Sequence, residues 1–81
     1  MFLTINALGQ NKVGFTKLNK EADGKYYYNG NLYSGESLLL WPSNNKPMQR
    51  IDWKNGQIDG VFRSWYENGN QDQYIEYTSG I

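Results

Sequence analysis

The chain has 81 residues, with eight Lys plus Arg against eight Asp plus Glu, and neither Cys nor His. One small domain is the expectation at this length; disulfide and thiolate chemistry are excluded, and the commonest metal ligand and the usual general base near neutral pH are missing. Residues 1–40 carry four basic and three acidic groups and residues 41–81 carry four and five, so neither half offers the basic patch of a nucleic-acid binder or of a polybasic membrane anchor.

The N-terminal stretch MFLTINALGQ has no basic segment and no long apolar run, so it does not read as a secretory signal. Phe2 to Asn6 is a candidate extra strand. Residues 14–30, GFTKLNKEADGKYYYNG, read as strand, turn at ADG (22–24), strand. Residues 35–56, GESLLLWPSNNKPMQRIDWKNG, read the same way about SNNK (43–46), and residues 60–80, GVFRSWYENGNQDQYIEYTSG, about ENGN (67–70). The links are NGNLYSG (29–35) and NGQIDG (55–60). Asn-Gly and Asp-Gly favour turns that need positive φ, above all the type I′ hairpin turn. No stretch has a capped 3.6-residue period, so helix is not expected. The longest apolar run, Leu38-Leu39-Leu40-Trp41, is far short of the roughly 20 residues of a membrane helix. The expectation is an all-β, cytoplasmic protein of one domain, residues 1–81. Its architecture is an antiparallel meander of three tandem β-hairpin repeats forming one twisted sheet, with the N-terminal strand as an addition.

The spacing of glycine supports the repeat. Gly14, Gly35 and Gly60 open apolar runs 21 and 25 residues apart, and Gly30, Gly56 and Gly80 close them 26 and 24 apart. A period of 20–50 residues marks a repeat architecture. Leu40-Trp41 aligns with Trp65-Tyr66 and, after a one-residue gap, Ile51-Asp52-Trp53 with Ile75-Glu76-Tyr77; Tyr27 falls on Trp53 and Tyr77.

The pattern resembles the MORN repeat, in the form carried by bacterial antitoxin-like proteins. The segments that carry the resemblance are GVFRSWYENGN with IEYTSG, then RIDWKNGQIDG, then YYYNGNLYSG, together about residues 24–80. Unit two has LWPSNN where that pattern has an aromatic pair and Asn-Gly. The resemblance implies a row of hairpins in one elongated sheet, and a role in binding and neutralising a partner protein. No catalytic residue belongs to the repeat, so none is carried over.

A two-residue turn at Asn68-Gly69 would set Trp65 against Asp72, Arg63 against Tyr74 and Phe62 against Ile75. Cross-strand partners share a face, as do alternate residues. The more apolar face holds Phe62, Ser64, Tyr66, Gln73, Ile75 and Tyr77, with Leu39, Trp41, Ile51, Trp53 and Tyr27 by repeat equivalence; it is the expected core. The other face holds Val61, Arg63, Trp65, Asp72, Tyr74 and Glu76, with Leu38, Leu40, Arg50, Asp52, Lys54, Tyr26 and Tyr28. Trp, Tyr and Arg are the favoured hot-spot types of protein interfaces. The partner-binding candidates are therefore Tyr26, Tyr28, Leu38, Leu40, Arg50, Arg63, Trp65 and Tyr74. The plainer reading of such residues is cross-strand packing and solvated charge, which contributes about 0–1 kcal/mol per exposed pair.

Catalytic patterns are missing. Asp52 and Glu76 hold equivalent repeat positions, which architecture alone explains. Five serines have no histidine to activate them. There is no calcium loop, phosphate loop or dinucleotide fingerprint. The expected function is non-enzymatic and needs no cofactor or metal: neutralising a partner protein, as an antitoxin or immunity protein or as a phage-type inhibitor of a bacterial defence effector. The alternatives are carbohydrate binding through Tyr and Trp stacking, and membrane-lipid binding. Neither nucleic acid nor membrane is an expected partner, and open sheet edges leave room for a homo-oligomer.

Overall fold

A computed structural model describes residues 11–81, so the candidate strand at Phe2 to Asn6 lies outside the described residues. The elements in order are β1 (Lys12–Gly14), a 3-10 turn (Phe15–Lys17), β2 (Asn19–Lys20), β3 (Tyr26–Tyr28), β4 (Asn31–Leu32), β5 (Gly35–Leu40), β6 (Pro47–Lys54), β7 (Gln57–Trp65) and β8 (Gln71–Tyr77). The all-β expectation holds, but the single sheet does not. Strands β1-β5-β6-β7-β8 form one sheet and β2-β3-β4 a second. The edge of β5 that β4 would need is taken by β1, which runs parallel to it with Val13 opposite Ser37. The Asn11 carbonyl extends that pairing by accepting the Glu36 N–H at 2.8 Å. Gly14 thus closes a strand instead of opening the first hairpin.

The turns show why the chain reverses where it does. Asn29-Gly30, Asn55-Gly56 and Ser79-Gly80 each place both residues at positive φ, as a type I′ turn requires. The first two join β3 to β4 and β6 to β7. The turns inside the expected units have a different geometry. At residues 66–70 the Gly69 N–H reaches the Tyr66 carbonyl at 2.9 Å and the Tyr66 N–H reaches the Asn70 carbonyl at 2.8 Å. Only Gly69 of the Asn68-Gly69 pair has positive φ, so the loop has three residues, closed by glycine. Residues 21–25 repeat this, with Gly24 bonded to Glu21 and Glu21 to Lys25. In the turns of all three expected units an Asx side chain accepts the N–H two residues on: Asp23 from Lys25, Asn44 from Lys46 and Asn68 from Asn70, each at 2.9 Å. The extra loop residue is offset by a bulge. Trp65 pairs with Gln71 and Ser64 with Gln73, which leaves Asp72 unpaired and restores Arg63 opposite Tyr74.

The core lies between the sheets. Ile51 and Trp53 on β6 are buried together with Leu18 and Tyr33, and Val13, Phe15, Tyr26, Tyr28, Ile58 and Phe62 pack against them. Trp53 is the seam. Its ring lies 4.7 Å from Tyr26 and 6.4 Å from Phe15, and its Nε1–H donates to Ser37 Oγ at 2.8 Å. The small sheet is tied to the large one by backbone bonds at the Asn55-Gly56 turn: Tyr26 N–H to Gly56 O at 2.9 Å and Gly56 N–H to Tyr33 O at 2.8 Å. Placing Ile51, Trp53 and Phe62 on the inner face is therefore correct. Placing Tyr66 there is not, since it is exposed at the hairpin tip, where the three-residue loop has already turned away from the sheet.

Candidate functional site

The five-stranded sheet has one face under the small sheet and one turned outward. Strict alternation along β5, β6 and β7 sends Leu38, Arg50 and Arg63 outward from between inward residues. The register then aligns them: Leu38 is opposite Arg50, Arg50 opposite Arg63, and Arg63 opposite Tyr74. These candidates form a single row across four strands. Leu40 follows Leu38 on the same face of β5, and Trp65 follows Arg63 on β7. Leu38, Leu40 and Tyr74 are among the exposed large apolar residues.

Tyr26 and Tyr28 do not join this face. Tyr26 packs at a tilt against Trp53 and Phe15, and the Tyr28 ring meets Tyr33 edge-on at 5.9 Å. Both belong to the core. Tyr27, expected in the core, instead donates its hydroxyl to Asp23 Oδ2 at 2.8 Å. The first hairpin is thus one residue out of the expected phase, and a slip of one exchanges the faces.

Residues not singled out as candidates complete the site. Glu36 on β5 is buried, and its carboxylate accepts from Arg50 Nε and stands 3.9 Å from Lys12 Nζ. Alternation from Leu38 could have placed Glu36 on this face. Lys12 carries no such signal, because its position depends on the parallel pairing of β1 with β5. Asp52 has a structural task. Between Ile51 and Trp53 the pairing with β7 shifts, and Asp52 Oδ2 accepts the Val61 N–H at 3.0 Å. Gly60 sits at φ 114°, where a Cβ would come within 2.8 Å of Asp52 Oδ2.

Two shallow hollows result. One, of about 310 Å³, is lined by Glu36, Arg50, Asp52, Val61 and Arg63. The other, of about 330 Å³ and more apolar, is lined by Lys12, Glu36, Leu38, Pro47, Arg50 and Trp65. They share Glu36 and Arg50. The Arg63 guanidinium lies 5.0 Å from the Tyr74 ring centre, a cation–π distance. Among the described residues no group of His, Cys, Asp and Glu is arranged to hold a metal, and no helix is long and apolar enough to cross a membrane. No family model, no curated protein and no solved structure matches the chain.

Proposed function

We propose that the chain is a non-enzymatic binding module that neutralises a partner protein by covering part of its surface. The observation that carries this is the outward row Leu38, Arg50, Arg63, Tyr74, flanked by Leu40 and Trp65. The chain folds a second sheet over one face and leaves this one, with its aliphatic, aromatic and arginine side chains, turned to solvent. Its arginines, Tyr74 and Trp65 are of the types enriched at hot spots, beside aliphatic residues that are not. Inhibition as the outcome, by an antitoxin, an immunity protein or a phage-type inhibitor, rests on the resemblance to MORN-repeat antitoxins. The shared Asx turns of the three hairpins support reading them as copies of one unit. Strand β8 is outermost in its sheet, so backbone pairing with the partner or with a second copy is a further mode of contact. The carbohydrate reading loses support, because two of the four rings assigned to the face, Tyr26 and Tyr28, belong to the core.

The test uses immobilised wild-type chain and an Arg63→Ala/Trp65→Ala variant, with extract from the organism that encodes it. The variant is first checked for unchanged circular dichroism and melting. Wild type is expected to retain one protein stoichiometrically and the variant to lose it. Equal retention by both overturns the assignment of this face.

A further inference from the structure

Arg50 and Arg63 stand directly opposite one another on β6 and β7. Like charges in that position destabilise a sheet. The nearby carboxylates do not fully offset them. Glu36 is committed to Arg50 Nε and faces Lys12, while Asp52 caps the Val61 N–H. Among the described residues the Arg63 side chain has no ion pair or hydrogen bond and rests over the Tyr74 ring, and the terminal nitrogens of Arg50 have no such bond either. The Arg50 guanidinium is held by one nitrogen with its outer fork free. The two hollows are lined by three cations, Lys12, Arg50 and Arg63, against two carboxylates, Glu36 and Asp52, an excess of one positive charge.

We infer that Arg50 and Arg63 form a seat for one carboxylate from an Asp or Glu side chain of the partner protein, with the hollow of Leu38, Pro47 and Trp65 taking an apolar side chain beside it. This rests on the protein-binding reading above and adds the chemistry of the contact. Guanidinium forks match a carboxylate in two-bonded geometry. Counted over both hollows, with Lys12 as the third cation, a single negative charge balances the excess. Glu36 and Asp52, in the hollow that Arg50 and Arg63 line, repel a phosphate dianion more than a singly charged carboxylate, so an acidic side chain is the better fit. The apolar hollow beside the arginines favours an acid embedded in a protein surface over a free anion.

The probes are two capped pentapeptides, Gly-Leu-Glu-Leu-Gly and its Gln counterpart, and inorganic phosphate. Binding is read from the NMR signals of the Arg50 and Arg63 Nε–H and the Trp65 indole N–H. The Glu peptide is expected to shift all three saturably. Affinity is expected to be at least about ten-fold weaker for the Gln peptide, and for the Glu peptide on Arg63→Gln once its circular dichroism and melting are found to match wild type. Equal shifts with the two peptides, no loss in Arg63→Gln, or stronger binding of phosphate than of the Glu peptide each overturn the carboxylate seat. The two failures are distinguishable. If the Arg63→Ala/Trp65→Ala variant loses its partner while the peptides bind alike, the seat falls and the face stands. If the Glu peptide seats on the arginines while that variant keeps its partner, the arginines take a carboxylate that the partner does not supply, and both the face and the seat as a partner contact fall.

Discussion

Trp53 and Trp65 occupy related positions on opposite faces of one sheet, and replacing each by alanine separates the faces energetically. Trp53 is 5% exposed. Trp53→Ala removes a ring that bridges the two sheets through Tyr26 and Phe15, and truncation of a buried Trp costs about 3–5 kcal/mol. It also strips the Ser37 hydroxyl, 1% exposed, of its indole donor, which puts the expected loss at the upper end of that range. A domain of this length has a total stability of roughly 0.05–0.15 kcal/mol per residue, so the variant is expected at the margin of folding. With each kcal/mol worth about 4–8 °C at this size, melting should fall by about 20 °C or more. Trp53→Phe keeps most of the packing and isolates the indole bond, at about 1–3 kcal/mol. Trp65→Ala, on the half-exposed outer face, should cost less than either Trp53→Ala or the loss of the whole seam. Urea and thermal melts followed by circular dichroism measure all three. Equal or greater loss in Trp65→Ala would refute the assignment of the inner face.

The bulge beside Asp52 gives a second set of outcomes. Gly60→Ala forces a Cβ into the Asp52 carboxylate at an unfavourable φ and should cost about 1–3 kcal/mol in urea melts. Asp52→Ala should cost a similar amount by stranding the Val61 N–H, whereas Asp52→Asn, which can accept the same bond, should retain most of the stability. Burial holds the Tyr33 phenol above its ordinary value. The stability tied to its protonated form is therefore fully present below about pH 10 and lost as pH rises through the folded value; ultraviolet titration should show Tyr33 ionising together with alkaline unfolding, and Tyr33→Phe should remove that step. Tyr26→Ala should destabilise the fold by several-fold more than Tyr74→Ala, since Tyr26 lies on Trp53 and Tyr74 lies outward; the reverse order in melts would return Tyr26 to the binding face.

What was legible in the sequence was local chemistry. Asn29-Gly30 and Asn55-Gly56 are turns because glycine and asparagine tolerate positive φ, and both reverse the chain as expected. The alternation of Gln49 to Trp53 and of Val61 to Trp65 carries enough contrast between apolar and charged positions to set the faces of β6 and β7. Tyr26-Tyr27-Tyr28 carries none. Three identical residues cannot report which of two faces each occupies, so only the repeat alignment gives a phase, and it is one residue off. Arg63 faces Tyr74, as a two-residue turn predicts, although the turn is not of that kind. The true loop is one residue longer, and the bulge at Asp72 takes that residue back. The second sheet was not legible, because the parallel pairing of β1 with β5 joins segments more than twenty residues apart and leaves no periodic trace in either.

The features that look costly for stability gather on one face. A buried Glu36, a directly opposed arginine pair and several uncovered apolar side chains would each be avoided by a chain selected only to fold, since a thin core has little stability to spare. Local conflicts of this kind are expected at functional sites and need compensation elsewhere. The structure shows where that compensation lies. Asp52 closes the backbone shift beside the arginines, Arg50 holds the Glu36 carboxylate, and on the opposite face Trp53 knits both sheets through a ring seam and the Ser37 hydrogen bond. The rigid side of β6 thus holds in register the row that its other side presents. Residues 51 and 53 secure the fold and residue 50 presents the arginine, on one strand, by alternation alone.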